Sequence, residues 1–175
     1  MIKSNPTKTG ILKMLTQAGH DIVSSGKLGK DLGISRQAVW KAVEALREEG
    51  MDIESLPHRG YRLKTVSGND LSPSWLEILL QNCPWGHPVL HWEELPSTQD
   101  VIKQLARNDA PEGVLCLAEE QVSGRGRLGR QWVSPPRGGI YMSILIRPRM
   151  APTRVQLLNL AAGLAVRQAL KDLLG

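Results

Sequence analysis

The chain has 175 residues, enough for one ordinary domain or two small ones and for a buried core. Its 41% hydrophobic and 22% charged residues exclude wholesale disorder and collagen-like repetition. The formal charge of +5 is unevenly spread: residues 1–66 hold 11 basic and 7 acidic side chains and residues 67–175 hold 11 and 10, which suggests a polyanionic partner for the first third.

At 8–19, Ile11, Leu12, Leu15 and Ala18 fall on one helical stripe that Gly19 closes. Residues 26–50 read GKLGKDLGISRQAVWKAVEALREEG: a short helix over 27–32, a turn at Gly33, Ser35 as N-cap, and a second helix to Glu49 ended by Gly50. This is a helix-turn-helix pattern. Ala38, Val39, Ala42, Val43 and Leu46 make the buried stripe of the second helix, so Arg36, Gln37, Trp40 and Lys41 face outward, side chains suited to bases and phosphates. MDIESLPHRGYRLK comes next, two short strand-like runs around a Pro57-His58-Arg59-Gly60 turn, with Arg59, Arg62 and Lys64 forming a basic wing. A helical bundle with a polar face, and a half-buried packing role for Trp40, are the plainer alternatives. The conjunction of turn, capped helix, outward polar side chains and basic hairpin favours duplex DNA, with Ser35, Arg36, Gln37, Trp40, Lys41 and Arg59 as candidate contacts.

The polar, turn-rich TVSGNDLSP at 65–73 marks a boundary, dividing the chain into a winged helix-turn-helix domain at 1–66, a linker at 67–73 and a second domain at 74–175. Ser72 and Pro73 open a helix through Gln81. Strands are expected at 89–95, 113–120 and 139–147, with a helix at 99–108 after the first. The long, nearly all-apolar helix at 153–174 is expected to be buried. The fold class is α+β, and a sheet of about three strands with such a helix after it reads as a chain cut short.

Cys83 and Cys116 lie in unrelated contexts and the four histidines are scattered, so neither a disulfide framework nor a zinc site is expected. The start, MIKSNPTKTG, lacks the apolar core of a signal peptide, and no stretch approaches a membrane span. A cytoplasmic protein without membrane partners is expected.

Residues 121–132 read QVSGRGRLGRQW. Gly124, Gly126 and Gly129 satisfy G-x-G-x-x-G, but the dinucleotide fingerprint needs a helix directly afterwards, and Pro135-Pro136 cannot sit inside one. A Gly-Arg loop does suit an anion clamp, because arginines supply fixed planar donors for phosphate or carboxylate and Trp132 offers a face to a base. A solvated basic loop and an RNA-binding patch remain open from composition alone.

GRGRLGRQW resembles the Gly-Arg loop of biotin protein ligases. With the preceding winged helix-turn-helix, the chain from Thr9 to Gly175 is similar to the bifunctional biotin ligase and biotin operon repressor family. Pro96-Ser97-Thr98, Ala118-Glu119-Glu120-Gln121 and Gly138-Gly139-Ile140-Tyr141-Met142-Ser143 carry further resemblance. The resemblance implies a winged helix-turn-helix followed by part of a biotin/lipoate ligase-like, class II synthetase-like mixed sheet. It implies a biotin-[acetyl-CoA-carboxylase] ligase: biotin attacks the α-phosphate of ATP, giving biotinyl-5'-adenylate and pyrophosphate, and a lysine of a biotin carboxyl carrier protein takes the biotinyl group. Such chemistry must align two like-charged reactants and stabilise charge growing on phosphorus oxygens.

Carried over by position, the resemblance places biotin against Ser97, Thr98, Gln99, Gln121, Arg125, Gly126 and Arg127. It places the adenylate against Arg127, Arg130 and Trp132, and gives Arg125 and Arg127 the catalytic roles. Ser97 and Thr98 also read plainly as N-caps of the 99–108 helix. Biotin and ATP are the implied substrates, Mg2+ accompanies ATP, and biotinyl-5'-AMP is the intermediate and corepressor. Operator DNA and a homodimer complete the implied assembly. Two departures stand out: Gln99 replaces the family's usual Asn, and the downstream Lys-Trp-Pro-Asn-Asp strand is absent from these 175 residues. A DNA-binding regulator with an inactive ligand-binding domain is therefore the alternative, with a lipoate-type pocket as a third reading.

Overall fold

The computed structural model describes residues 2–3, 5–66 and 71–175, leaving aside the side chains of Ile2, Lys3, Val66, Arg127 and Pro152; positions 67–70 of the expected linker lie outside the described residues. The chain divides into two units, 1–145 and 146–175.

In the first unit, helix α1 (Pro6–Gln17) starts two residues ahead of the expected segment. The Asn5 side chain accepts the Lys8 N–H at 2.8 Å, and Pro6 is pre-set for the first helical position. Helices α2 (Ser25–Leu32) and α3 (Arg36–Glu48) come next, capped by the Ser24 and Ser35 hydroxyls. Ile11, Leu12, Leu15, Leu28, Val39, Val43 and Leu46 of these helices form one core with Met51, Ile53 and Leu63. The last three come from the antiparallel hairpin β2 (Met51–Leu56) and β3 (Gly60–Val66). Val23 and Tyr61 exchange backbone hydrogen bonds of 2.9 Å, bringing the hairpin against the segment before α2. Gly60 is required there: it has φ +135°, and a Cβ would lie 2.2 Å from the Val23 carbonyl oxygen.

The expectation of a basic wing is only partly met. Arg62 and Lys64 both pair with Glu54, at 2.5 and 3.7 Å, because residues 54 and 62 are directly opposed across the hairpin. The Arg62 guanidinium holds the Glu54 carboxyl below its ordinary range, so one of the two positive charges is offset in place. Arg59, exposed at the turn, is the wing cation outside that network.

Helix α4 (Pro73–Leu79) connects this core to the rest of the unit. Ser72 caps it, and Trp75 and Ile78 pack against the helix-turn-helix core. Glu49, buried just after α3, pairs with buried Lys8, accepts the Ser72 hydroxyl at 2.7 Å and accepts the Ser74 N–H at 3.3 Å.

The expected three strands become a five-stranded sheet. Strand β1 (Ile2–Lys3) pairs antiparallel with β4 (Val89–Leu95), which pairs in parallel with β5 (Leu115–Arg125). The opposite edge of β5 carries β6 (Gln131–Ser134) and β7 (Tyr141–Ile144), both antiparallel. Parallel neighbours need a crossover, supplied by helix α5 (Thr98–Arg107). Ile102 of α5 packs with Leu90, Cys116 and Ala118 on one face, whereas Leu76 and Leu80 pack with Val89, Leu115 and Leu117 on the other. Covering on both faces makes the start of β5 continuously apolar. Burial pushes the Cys116 thiol up to about 12.

Two expected strands shift. The second extends to Arg125, so half of the expected Gly-Arg loop is strand; the third shortens to 141–144.

The second unit holds a 3-10 turn over 152–154 and helix α6 (Gln156–Leu174). The expectation that this helix is buried is not met: none of its residues is buried, and Leu160, Leu164 and Leu173 are among the exposed. A helix apolar around its circumference needs surrounding elements to cover it, and its own unit offers only the preceding turn.

Candidate functional site

The helix-turn-helix face and wing form a cleft of about 700 Å³, lined by Ser25 at the start of α2, Arg36 and Trp40 of α3, and His58 and Arg59 of the wing turn. Ser35 accepts the Ala38 N–H at 3.1 Å and so fixes where α3 begins. Trp40 is 52% exposed, too open to be mainly a packing residue. Gln37 and Lys41 are exposed on the same helix without lining the cleft.

A second cleft, of about 240 Å³, lies between the start of α5, the end of β5, β6 and β7. Its floor is a hydrogen-bonded set. The Gln121 Oε1 accepts the Thr98 N–H at 2.9 Å and the Thr98 hydroxyl at 3.2 Å, while its Nε2 donates to the Ser134 hydroxyl at 3.2 Å. The Ser143 hydroxyl donates to Thr98 Oγ1 at 2.9 Å. Ser97 is buried, but its side chain makes no cap bond; the amide of Gln121 satisfies the helix start instead, which corrects the plain capping expectation. Gln99 is exposed at the edge.

One wall is a hairpin where the sequence suggests a loop. Gly124 pairs with Trp132 and Arg125 with Gln131, and the Gly126 N–H donates to the Arg130 carbonyl at 2.8 Å. A Cβ at Gly124 would lie 2.5 Å from the Trp132 carbonyl oxygen, so the close approach of the two arms needs glycine. Arg125 lines the cleft with one amino group 2.9 Å from Asp100 of α5, and Trp132 lines it 64% exposed. Ile140, Tyr141, Met142 and Ser143 also line it, with the Tyr141 hydroxyl donating to the Pro135 carbonyl at 3.0 Å. An adjoining groove of about 370 Å³ shares Gln121 and Trp132.

Ser97, Thr98, Gln99, Gln121, Arg125 and Trp132 thus come together from the start of α5 and the two arms of the β5–β6 hairpin. Gly126 sits in the hairpin turn, Arg130 is exposed outside the lining, and the Arg127 side chain is not among those described. Ser134 and Asp100 carry no motif that singles them out; Tyr141 and Ser143 fall in the 138–143 run without a role assigned to them there, although period-two alternation puts both on one face of a strand. Arg125 is the charged group in the described lining. A floor of amide and hydroxyl groups, apolar walls and one guanidinium at the rim suit a ligand with a neutral polar head, an apolar body and an anionic end.

A profile described as "Biotin/lipoate A/B protein ligase family" matches residues 92–174, and one described as "HTH domain" matches 8–62. The described cleft residues fall within that ligase-family segment, and α3 within the helix-turn-helix match. The chain is similar to the Bifunctional ligase/repressor BirA of Bacillus subtilis (strain 168), with 38% identity over 94% of this chain and 50% of that protein. It is similar to the protein of that name from Escherichia coli (strain K12), with 30% identity over 98% of this chain and 51% of that protein. The crystal structure of biotin protein ligase from Leishmania major in complex with biotin aligns at 32% identity and TM-score 0.43, covering 48% of this chain and 34% of that one. The chain spans about half the length of the curated relatives it matches.

Proposed function

We propose that the cleft binds biotin and, with ATP, supports formation of biotinyl-5'-adenylate for transfer to a lysine of a biotin carboxyl carrier protein, and that α3 and its wing bind operator DNA under control of that ligand. The observation that carries the reading is the convergence of Thr98, Gln121 and Ser143 into one polar floor, with Ser134 bonded to Gln121 and Arg125 at the rim beside exposed Trp132.

On this reading the floor holds the ureido head of biotin through donors and acceptors already aligned with one another. The chain of biotin runs between Trp132 and Met142 toward Arg125. There the guanidinium meets the carboxylate and offsets the repulsion between two anionic reactants as a carboxylate oxygen attacks the α-phosphorus and pyrophosphate leaves. Arg127 and Arg130 extend that role toward the phosphates, and Trp132 stacks on the base. Mg2+ belongs to the ATP substrate; among the described residues no group of three His, Cys, Asp or Glu gathers to hold a resident ion. Among the described residues no helix is long and apolar enough to cross a membrane.

The test is a biotin-dependent exchange of labelled pyrophosphate into ATP, paired with calorimetry. Biotin binding with exchange supports the full reading. Binding without exchange favours the second reading, a ligand-responsive DNA-binding regulator. No binding of biotin refutes both. For DNA, affinity should fall with salt with a log-log slope of about −0.9 per phosphate contact, and a duplex from the protein's own biotin genes should bind better than random duplex, with the ligand-bound chain as a dimer on a two-fold site.

A further inference from the structure

Arg125 already has a carboxylate partner. Asp100 stands in the first turn of α5, where exposed helical N–H groups favour a negative charge, and its Oδ2 lies 2.9 Å from an Arg125 amino group. Ser97, Thr98 and Gln99 line the cleft whereas Asp100 does not. The carboxylate therefore grips the guanidinium from the helix side, while the same guanidinium borders the cleft.

We propose that Asp100 sets the affinity of the cleft for anionic ligands by acting as an internal counter-ion to Arg125, so that an incoming acid must displace or share a carboxylate already in place. The inference rests on the reading of the cleft as a biotin site. Two effects of Asp100 oppose binding: it draws the guanidinium charge toward itself, and its own charge repels the ligand's carboxylate. One effect favours binding, the holding of Arg125 near the rim. Holding is the weaker, since the Arg125 side chain is 63% exposed and an exposed ion pair is worth little. The net effect of Asp100 is to weaken the grip on a carboxylate and to leave a neutral ligand untouched. Asp100 thus tunes the preference for charge without reaching the ligand, acting through Arg125.

The 175-residue chain and its Asp100→Asn, Arg125→Gln and doubly substituted forms are titrated by calorimetry with biotin and with its neutral primary amide. The expected result is that Asp100→Asn binds biotin about three- to tenfold more tightly, as removal of one exposed ion pair and one like charge implies. The amide shows no change, and the gain disappears when Arg125 is already Gln. Unchanged or weaker biotin binding by Asp100→Asn, or an equal gain for the amide, overturns the proposal. A ligand-free readout accompanies it: phenylglyoxal labelling of Arg125, followed by mass spectrometry with Arg130 as internal reference, is expected to be faster in Asp100→Asn. Equal labelling with biotin binding intact overturns the counter-ion role alone. Faster labelling with no biotin binding by any form overturns the biotin reading, and the affinity-setting role with it, while the ion pair stands.

Discussion

Replacing Gln121 by Leu removes the acceptor of two donors, the Thr98 N–H at 2.9 Å and the Thr98 hydroxyl at 3.2 Å, together with the donor to Ser134. Thr98 is 4% exposed, so its N–H has little access to water and no intrahelical acceptor. An orphaned buried donor costs about 1–3 kcal/mol, which in a chain of this size lowers the melting temperature by about 2–12 °C. Gln121→Glu separates the structural from the binding role. A carboxylate still accepts from Thr98 at a helix N-terminus, where negative charge is favoured by about 0.3–1 kcal/mol, and the Ser134 hydroxyl can turn to donate. At pH 7 this variant should melt at or above the wild-type temperature, yet bind biotin worse, because an anion replaces an amide donor in the cleft of an acidic ligand. Thermal melts by circular dichroism and biotin calorimetry decide the matter. A Leu variant melting within about 1 °C of wild type, or a Glu variant falling as far as Leu, would refute the account of how α5 is capped.

Glu49→Ala leaves Lys8 buried without its carboxylate and should cost about 3–5 kcal/mol in urea denaturation; an unchanged midpoint would contradict the joint between α3 and α4. Gly124→Ala should open the hairpin, since its Cβ meets the Trp132 carbonyl at 2.5 Å, and amide hydrogen exchange at Arg125 and Trp132 should accelerate; unaltered protection there would show the pairing to be dispensable. In α6, Gly163→Ala meets nothing within 4 Å and should stabilise the helix by about 1 kcal/mol, read as a gain in helical circular dichroism. Cys116 supplies a pH dependence. Above its ordinary value of 9.0 the unfolded thiol ionises while the folded one keeps its proton toward about 12, so the folded state binds more protons and stability falls as pH rises, by up to about 1.4 kcal/mol per unit. Cys116→Ala should flatten that alkaline limb in denaturation curves taken from pH 8 to about 11.

Local rules carried the first third of the chain well. Ser35 as cap, the Gly33 turn and the 3.6-residue stripe of α3 are all decided within a few residues of one another, and they are legible for that reason. Strand β4 was equally plain, bounded by Pro88 and Pro96. What escaped were decisions taken across the sheet. Glycines and arginines at 121–132 suggest a loop, and only pairing with β6, interrupted by an irregularity between Gln121 and Gly124, turns half of it into strand. Two of the three wing cations look free until Glu54 is seen opposite them. The candidate cleft was legible where the family resemblance supplied Ser97, Thr98, Gln121, Arg125 and Trp132. It was not legible at Ser134, Ser143 and Asp100, whose significance lies in what faces them. The apolar run of α6 states a need for cover and carries no information about what provides it.

The carboxylate that ends α3 also holds the first turn of α4, and Trp75 and Ile78 complete the core that α1 and α3 begin. Excising the winged helix at its last strand for use as a portable module would uncover an ammonium–carboxylate pair and strip an apolar flank at a stroke. A graft that carries the sequence through Leu79 would transplant the winged helix-turn-helix with its foundation intact.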